Sequence, residues 1–422
     1  MTAVHPGRRT AGAVLAVLAL FGLLAALTGC GGAAHKAARP AADPAVQQLL
    51  DRHAAAVRQH DQRAFLAGVD PRSTRFLAAQ RQMFGNLAQV PLADWSYRLV
   101  RTGAFPLPPE AGAGDGTRRT AAEVQLRYRL SGYDAQPVVS TSYLTFTERS
   151  GHWYVAADDD GESAGKRSAV QLWDQGKVTV VRGAHSLVLG LGDTGTLRGY
   201  ADDADQAVPQ VQHAWGRAGW PGTVVIEAPK TLDQLGALLA ADPAGYQDIA
   251  AVTTGELGGS AQAPADRVIV NPAAFGKLSA FGRQVVLTHE TTHVATRLAT
   301  TASTPLWLSE GFADWVAYRD AGRTAPEIAP ELAHDVDAGH LPAALPTAAD
   351  FRPTSSDLAQ AYEGGWLACR MVADQWSPDR LTALYRTAGT GATLDSVLRS
   401  GLDLSPAGFT ARWRTYVQQE LG

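Results

Sequence analysis

Residues Val285–Thr296 read VVLTHETTHVAT, an apolar start that gives way to two histidines and a glutamate. Residues four apart on an α-helix lie one above the other on the same face, so His289 and His293 point the same way. Two neutral imidazoles one turn apart can reach a single metal ion. Glu290, rotated by about one hundred degrees, can lean over whatever else that ion binds. A scatter of polar residues on an amphipathic helix gives the same spacing. The decision therefore turns on a third ligand, because a catalytic zinc site takes three protein ligands and leaves one position for water.

Past a loop containing Pro305 comes WLSEGFADWVAYR, residues 307–319, which reads as a second helix begun near Leu306. Sixteen residues separate His293 from Glu310. A carboxylate on a neighbouring antiparallel helix can return to a metal held by the first. Asp314 sits one turn after Glu310 on the same face, placed to accept the free ring N–H of a ligating histidine and fix its tautomer. The alternative is a solvated acidic face, but Phe312, Ala313 and Trp315 make this helix largely apolar, and acidic residues in such company usually have a partner.

HETTH followed by SEGFADW resembles the gluzincin zinc metallopeptidases, among them thermolysin and the aminopeptidase N group, in which HExxH is followed by a helix carrying ExxxD. The resemblance implies one zinc per chain held by His289, His293 and Glu310, Glu290 as general base, and Asp314 as the partner of a ligating histidine. The interval to Glu310 is slightly shorter than the aminopeptidase pattern, which implies a compact relative. AYEGGWLACRMVADQW, residues 361–376, resembles the helix after the zinc site in aminopeptidases, where a tyrosine shortly before a glycine donates to the oxyanion. Tyr362 is the matching residue. Those enzymes carry a lysine where this chain has Gly364, and a tyrosine at a helix start also serves as a cap. The resemblance covers roughly residues 178–422.

The rest of the chain sets the context. Its 422 residues are enough for two or three domains with a sizeable core. With 45% hydrophobic and 18% charged residues it is not a disordered protein, and a net charge of −4 gives no basic field to gather nucleic acid. Arg8 and Arg9 precede AGAVLAVLALFGLLAAL, a short apolar core of the secretory type. An uncleaved membrane helix is the alternative, although the run from Ala11 to Leu27 is at the short end for spanning a bilayer. The ending LTGC resembles the lipobox of bacterial lipoproteins and implies Cys30 as the lipidated first residue of the mature chain. Residues 1–29 are then a lipoprotein signal peptide and 30–44 a flexible tether. The expected location is the outer face of the cytoplasmic membrane. Only Cys369 remains beyond the anchor, so the exported part has no intramolecular disulfide. Five lysines against thirty-two arginines point to a high-GC genome, such as an actinobacterium's.

From Pro44 to Phe65 the apolar spacing is helical. Trp95, Tyr97 and Leu99, then Val124, Leu126, Tyr128 and Leu130, alternate with polar neighbours, the period of half-buried antiparallel strands. Strands are also expected at Val138–Phe146 and Trp153–Ala156. Helices followed by a curved antiparallel sheet that ends on GHWYV resemble the cone-shaped domains of the nuclear transport factor two and cystatin-like class. That gives a cone-shaped α+β domain over 45–158. The polar stretch DDDGESAGKRSA, residues 158–169, reads as a boundary. A metallopeptidase-like domain over 170–422 follows, with a small mixed sheet and a mainly helical C-terminal half. The fold class is α+β. Two functions stand open: a membrane-anchored peptidase acting on a peptide or protein substrate laid along a sheet edge at Val252–Thr254, or a non-catalytic surface lipoprotein that keeps the fold and binds a partner. His334 and His340, in the segment between Gly322 and Leu358, are candidates to line the cleft.

Overall fold

Asp43 caps the first helix by accepting from the Ala45 N–H at 2.9 Å, and Pro44 supplies a pre-set φ at its first position. The computed structural model describes residues 43–109, 118–254 and 265–422. The expected signal peptide and the anchor at Cys30 lie outside the described residues. The helical run from Pro44 is two helices, α1 (Pro44–Arg58) and α2 (Gln62–Ala67), broken at His60, which adopts a positive φ of 55°. Helix α3 (Thr74–Asn86) follows.

Four strands then form an antiparallel meander in chain order: β1 (Leu92–Thr102), β2 (Arg118–Leu130), β3 (Val138–Arg149) and β4 (His152–Ala157). Register shifts between Leu92 and Asp94, between Leu99 and Arg101, and between Thr145 and Phe146 bend the sheet, as bulges do. The concave face holds α1. Val46, Leu49 and Leu50 pack on Leu99, Val124, Phe146 and Val155. Gln47 ties helix to strand, donating to the Tyr97 carbonyl at 3.0 Å and accepting from the Leu99 N–H at 2.8 Å.

Residues 158–169 do not run free between the two halves. Asp160 accepts from Thr145 at 2.7 Å, and Ser168 accepts from the Tyr143 N–H at 2.9 Å. The short helix α4 (Leu172–Gln175) then places Trp173 against Trp95 and Tyr128, in a cluster that also contains Leu187 and Leu189 of the second sheet.

That second sheet is mixed and has the order β5-β6-β7-β9-β8, from β5 (Thr179–Arg182), β6 (Ser186–Gly190), β7 (Val224–Ala228), β8 (Ala251–Thr254) and β9 (Arg267–Val270). The β6–β7 and β7–β9 pairs are parallel, and β5 and β8 add antiparallel edges. Strands β6, β7 and β9 are buried throughout and largely apolar, with Ser186, Glu227 and Arg267 as their buried polar residues. Helix α5 (Thr194–Trp215) joins β6 to β7; Asp193 caps it through the Thr196 N–H, and Leu197, Tyr200, Ala201 and Ala204 begin its buried face within the first turns. Helix α6 (Leu232–Leu239) lies between β7 and β8.

The remainder is helical: α7 (Pro272–Phe275), α8 (Ala280–Thr296), α9 (Leu306–Tyr318), α10 (Ala325–Ile328), α11 (Pro330–Asp337), α12 (Leu358–Gln375), α13 (Pro378–Ala388), α14 (Leu394–Leu402) and α15 (Pro406–Leu421). One cluster runs from α5 through α8, α9 and α12 to α15, where Phe409, Trp413, Tyr416 and Val417 form one buried stripe. Cys369 is buried in it, and burial pushes its thiol pKa well up. Among the described residues no helix is long and apolar enough to cross a membrane.

Candidate metal centre

Helix α8 starts at a Ser279 cap and is buried on all sides from Val285 to His293. A polar helix in that position must satisfy its side chains internally. Thr292 donates to the Thr288 carbonyl at 2.8 Å, and Thr288 donates to Gln210 of α5 at 3.3 Å. Just past its end Arg297 pairs with Asp266, before β9, at 2.8 Å, with both side chains 2% exposed. Burial pushes the Asp266 carboxyl up to about 6 against the opposing pull of Arg297.

Helix α9 crosses α12 at unusually close range. A Cβ on Gly311 would drive into the carbonyl of Gly365, and one on Gly365 would meet the Trp307 carbonyl oxygen at 2.9 Å. Only glycine at both positions lets the two backbones touch. This approach brings Glu310 of α9 and Tyr362 of α12 to the same site as the histidines of α8.

The three ligand candidates form a nearly equilateral triangle. His289 Nε2 is 3.0 Å from His293 Nε2 and 3.3 Å from Glu310 Oε2, and His293 Nε2 is 3.4 Å from the same oxygen. They are the one group of at least three potential ligands among the described residues whose donor atoms all lie within 4.8 Å of one another. Tetrahedral ligands about 2.0–2.1 Å from a zinc ion are about 3.3–3.4 Å apart, so the triangle has the right edge. Both Glu310 oxygens are buried and neither has a hydrogen bond of acceptable geometry. On the far side of the first ring, Asp314 Oδ1 lies 2.8 Å from His289 Nδ1. A proton held on Nδ1 leaves the Nε2 lone pair aimed into the triangle. Two nitrogens and one carboxylate oxygen suit zinc, and the residues fit the ion.

Electrostatics follow from burial and from charges a few ångströms apart. Burial raises Glu310, but the charge of His293 and the contacts from both histidines outweigh it and hold the carboxyl down at about 2. Burial alone would lower His289; Asp314, Glu310 and Glu290 outweigh it and raise the imidazole well above its ordinary value. For Glu290 and Asp314 burial wins, and both carboxyls are raised despite the adjacent histidines. Glu290 Oε2 accepts from Thr253 Oγ1 of β8 at 2.6 Å, while its Oε1 is buried without a hydrogen bond.

Every residue assigned to the centre from the sequence is therefore near it. Tyr362 is buried, its ring centroid 6.4 Å from that of His289. The other histidine candidates are elsewhere: His334 sits on α11 and His340 just beyond it, both exposed and outside the cluster. The segment expected as one loop between Gly322 and Leu358 contains α10 and α11, each opened by proline, and α11 turns Leu332, Ala333 and Val336 inward and His334 out. Thr253 lies within the edge expected at Val252–Thr254, but its bond to Glu290 escaped the sequence reading, as did Phe351. Phe351 meets the Tyr362 ring edge-on at 5.2 Å, and no periodicity marks a lone aromatic in an irregular loop.

No protein-family model matches the chain, and no curated protein does. Among solved structures it is similar to a two-domain M1 zinc metallopeptidase mutant bound to L-arginine, at 14% identity and a TM-score of 0.32 over 73% of this chain and 62% of that one. It is also similar to an M1 zinc metallopeptidase from Deinococcus radiodurans, at 13% identity and a TM-score of 0.29 over 72% and 62%. The likeness is distant, and the chain spans about 62% of the length of these structures. What the centre does follows from its own side chains: a buried His-His-Glu cluster with the geometry of a catalytic zinc site.

Proposed function

We propose that this chain is a zinc-dependent peptidase of gluzincin type. The observation that carries the reading is the triangle of His289, His293 and Glu310, with Asp314 behind one ring. Zinc, when bound, supplies a Lewis acid that polarises a carbonyl and acidifies water. Glu290 takes the proton from the attacking water and passes it to the leaving amine, the general-base role that its orphaned Oε1 is free to play. Thr253 holds the other oxygen and fixes the rotamer. Tyr362 donates a hydrogen bond from its phenol to the developing oxyanion.

Strand β8 pairs with β9 and, among the described strands, with no other, so it is the sheet edge nearest Glu290. An extended peptide adds to that edge as a further strand, its backbone held by β8 and its scissile carbonyl beside the triangle. In this reading 170–422 is the catalytic domain and 45–158 an appended cone-shaped domain. Lipidation of Cys30 anchors the mature chain at the membrane, a proposal that stands on the LTGC stretch alone.

The test is digestion of a peptide pool by full-length protein, with and without a chelator, alongside Glu290→Gln. Cleavage that the chelator stops and readded zinc restores, and that Glu290→Gln lacks while still binding zinc, is the expected result. A zinc-loaded wild type that cleaves nothing favours the alternative of a non-catalytic partner-binding lipoprotein.

A further inference from the structure

A cavity of about 960 Å³ opens directly against the metal centre. Glu310 and Tyr362 form part of its wall, so it adjoins the site, and no residue of β8 lines it. The remaining wall is mostly apolar, with Leu306 from α9, Leu345, Pro346 and Phe351 from the segment before α12, and Leu394 from α14. Of the residues that line it, only Glu310 and Arg352 carry a charge, and Glu310 belongs to the triangle. Arg352 is exposed.

The outer wall is itself unusual. Residues 338–357 contain neither helix nor strand. Irregular segments longer than about 12–15 residues inside a compact fold are uncommon and tend to be functional. This one is ordered by internal bonds, Thr347 donating to Asp350 from its N–H at 2.7 Å and its hydroxyl at 2.8 Å, and by the buried Phe351 ring set against Tyr362. The loop is thus tied to the residue assigned to the oxyanion, and its apolar side chains turn toward the space beside the reacting bond.

Size decides what fits. Pockets of roughly 300–1,000 Å³ enclose a whole drug-sized ligand, so this cavity exceeds the needs of one amino-acid side chain. We propose that it receives at least two large apolar side chains of the peptide substrate, on the Glu310 side of the scissile bond. The chain then selects peptides with a run of aliphatic or aromatic residues there. This inference rests on the peptidase reading for the identity of its occupant, and the residues of 338–357 are its specificity determinants.

The experiment separates the two. Full-length Glu290→Gln protein is titrated, by fluorescence anisotropy, with two end-blocked dansyl peptides of identical flanks, one centred on Leu-Phe-Leu-Phe and the other on Ser-Asp-Lys-Ser. One methylene in an apolar pocket is worth roughly a tenfold to two-hundredfold discrimination, so the apolar peptide should bind tighter by about thirtyfold or more. Ala348→Trp, which takes up part of the cavity, and Leu345→Asp, which charges its wall, should each lower that ratio several-fold while zinc content and circular dichroism stay at the parent's values. Equal binding of the two peptides, or an unchanged ratio in both folded variants, overturns the proposal. So does a competing fatty acid that displaces nothing yet binds in the cavity alone. If wild type cleaves peptides without apolar preference, the cavity inference falls and the peptidase reading stands. If it cleaves none but the variant binds the apolar peptide selectively, the hydrolysis falls and the cavity remains a peptide site.

Discussion

At the residue scale the proposed chemistry rests on Glu290 and Tyr362, and the tyrosine's assigned role makes a separable prediction. Tyr362→Phe removes one oxygen and keeps the ring against Phe351 and His289. Losing one oxyanion donor lowers turnover by about a hundredfold to a thousandfold, with folding and zinc content nearly unchanged. Near-parental turnover with a lowered thermal midpoint would instead make the tyrosine structural. The neighbouring Glu363 predicts a pH effect on stability. Its carboxylate accepts from the Leu332 N–H at 2.6 Å, yet burial, with Glu331 close by, pushes its pKa up to about 9. A carboxyl raised above its unfolded value binds more protons when folded, so its contribution to stability falls as pH rises from about 4.5 to about 9. Glu363→Gln keeps an acceptor for Leu332 and offers a donor to Glu331. Its thermal midpoint should exceed wild type at pH 8, with the gap closing towards pH 4.5, and a constant gap would refute the assignment. The clustering of His289, His293 and Glu310, and the place of Asp314 behind His289, were legible in the sequence because helix periodicity converts spacing into direction. The contacts of Thr253, Glu363 and Phe351 were not, since each of these residues meets its partner across a tertiary contact that no local pattern records.

Elements position these residues, and the α9–α12 crossing matters most. Gly311→Ala puts a methyl into the Gly365 carbonyl, backbone against backbone, where neither helix can rotate away. Overpacking of flexible side chains costs about 1–3 kcal/mol, and a rigid backbone contact belongs at or above the top of that range. Melting temperature and zinc content should fall together, because separating the helices draws Glu310 from the histidines. An alanine protein with parental stability and full zinc would show that the close approach is dispensable. Sequence reading located both helices but gave no sign of the crossing, since a GG pair inside a helix reads equally as a weak point. It also missed the break between α1 and α2 and the helices α10 and α11, where cap and proline geometry override apolar spacing.

At the scale of the whole molecule, the N-terminal sheet and the second sheet share more than a linker. Arg267 of β9 reaches Asp134, in the β2–β3 turn, at 2.7 and 2.8 Å, and these side chains are 5% and 2% exposed. Tyr133 adds a bond to the Ser186 carbonyl at 3.2 Å. Removing Asp134 leaves the buried Arg267 with only the longer carboxylate contact to Glu227 at 3.7 Å, so Asp134→Ala should cost about 3 kcal/mol in denaturant unfolding. A loss below about 1 kcal/mol, as for a surface pair, would mean the two regions are held by apolar packing alone. The alternating strands forecast the first sheet, and a small mixed sheet was expected for the second. Their junction was hidden because Asp134 and Arg267 lie 133 residues apart in the chain.

The account stands or falls on whether the triangle is a metal centre. Elemental analysis of purified full-length protein, run beside Glu290→Gln, His293→Ala and Glu310→Ala, measures this directly. About one zinc per chain in wild type and Glu290→Gln, and little in the other two, is the predicted result. Wild type without stoichiometric zinc, or His293→Ala and Glu310→Ala retaining as much as wild type, would contradict it.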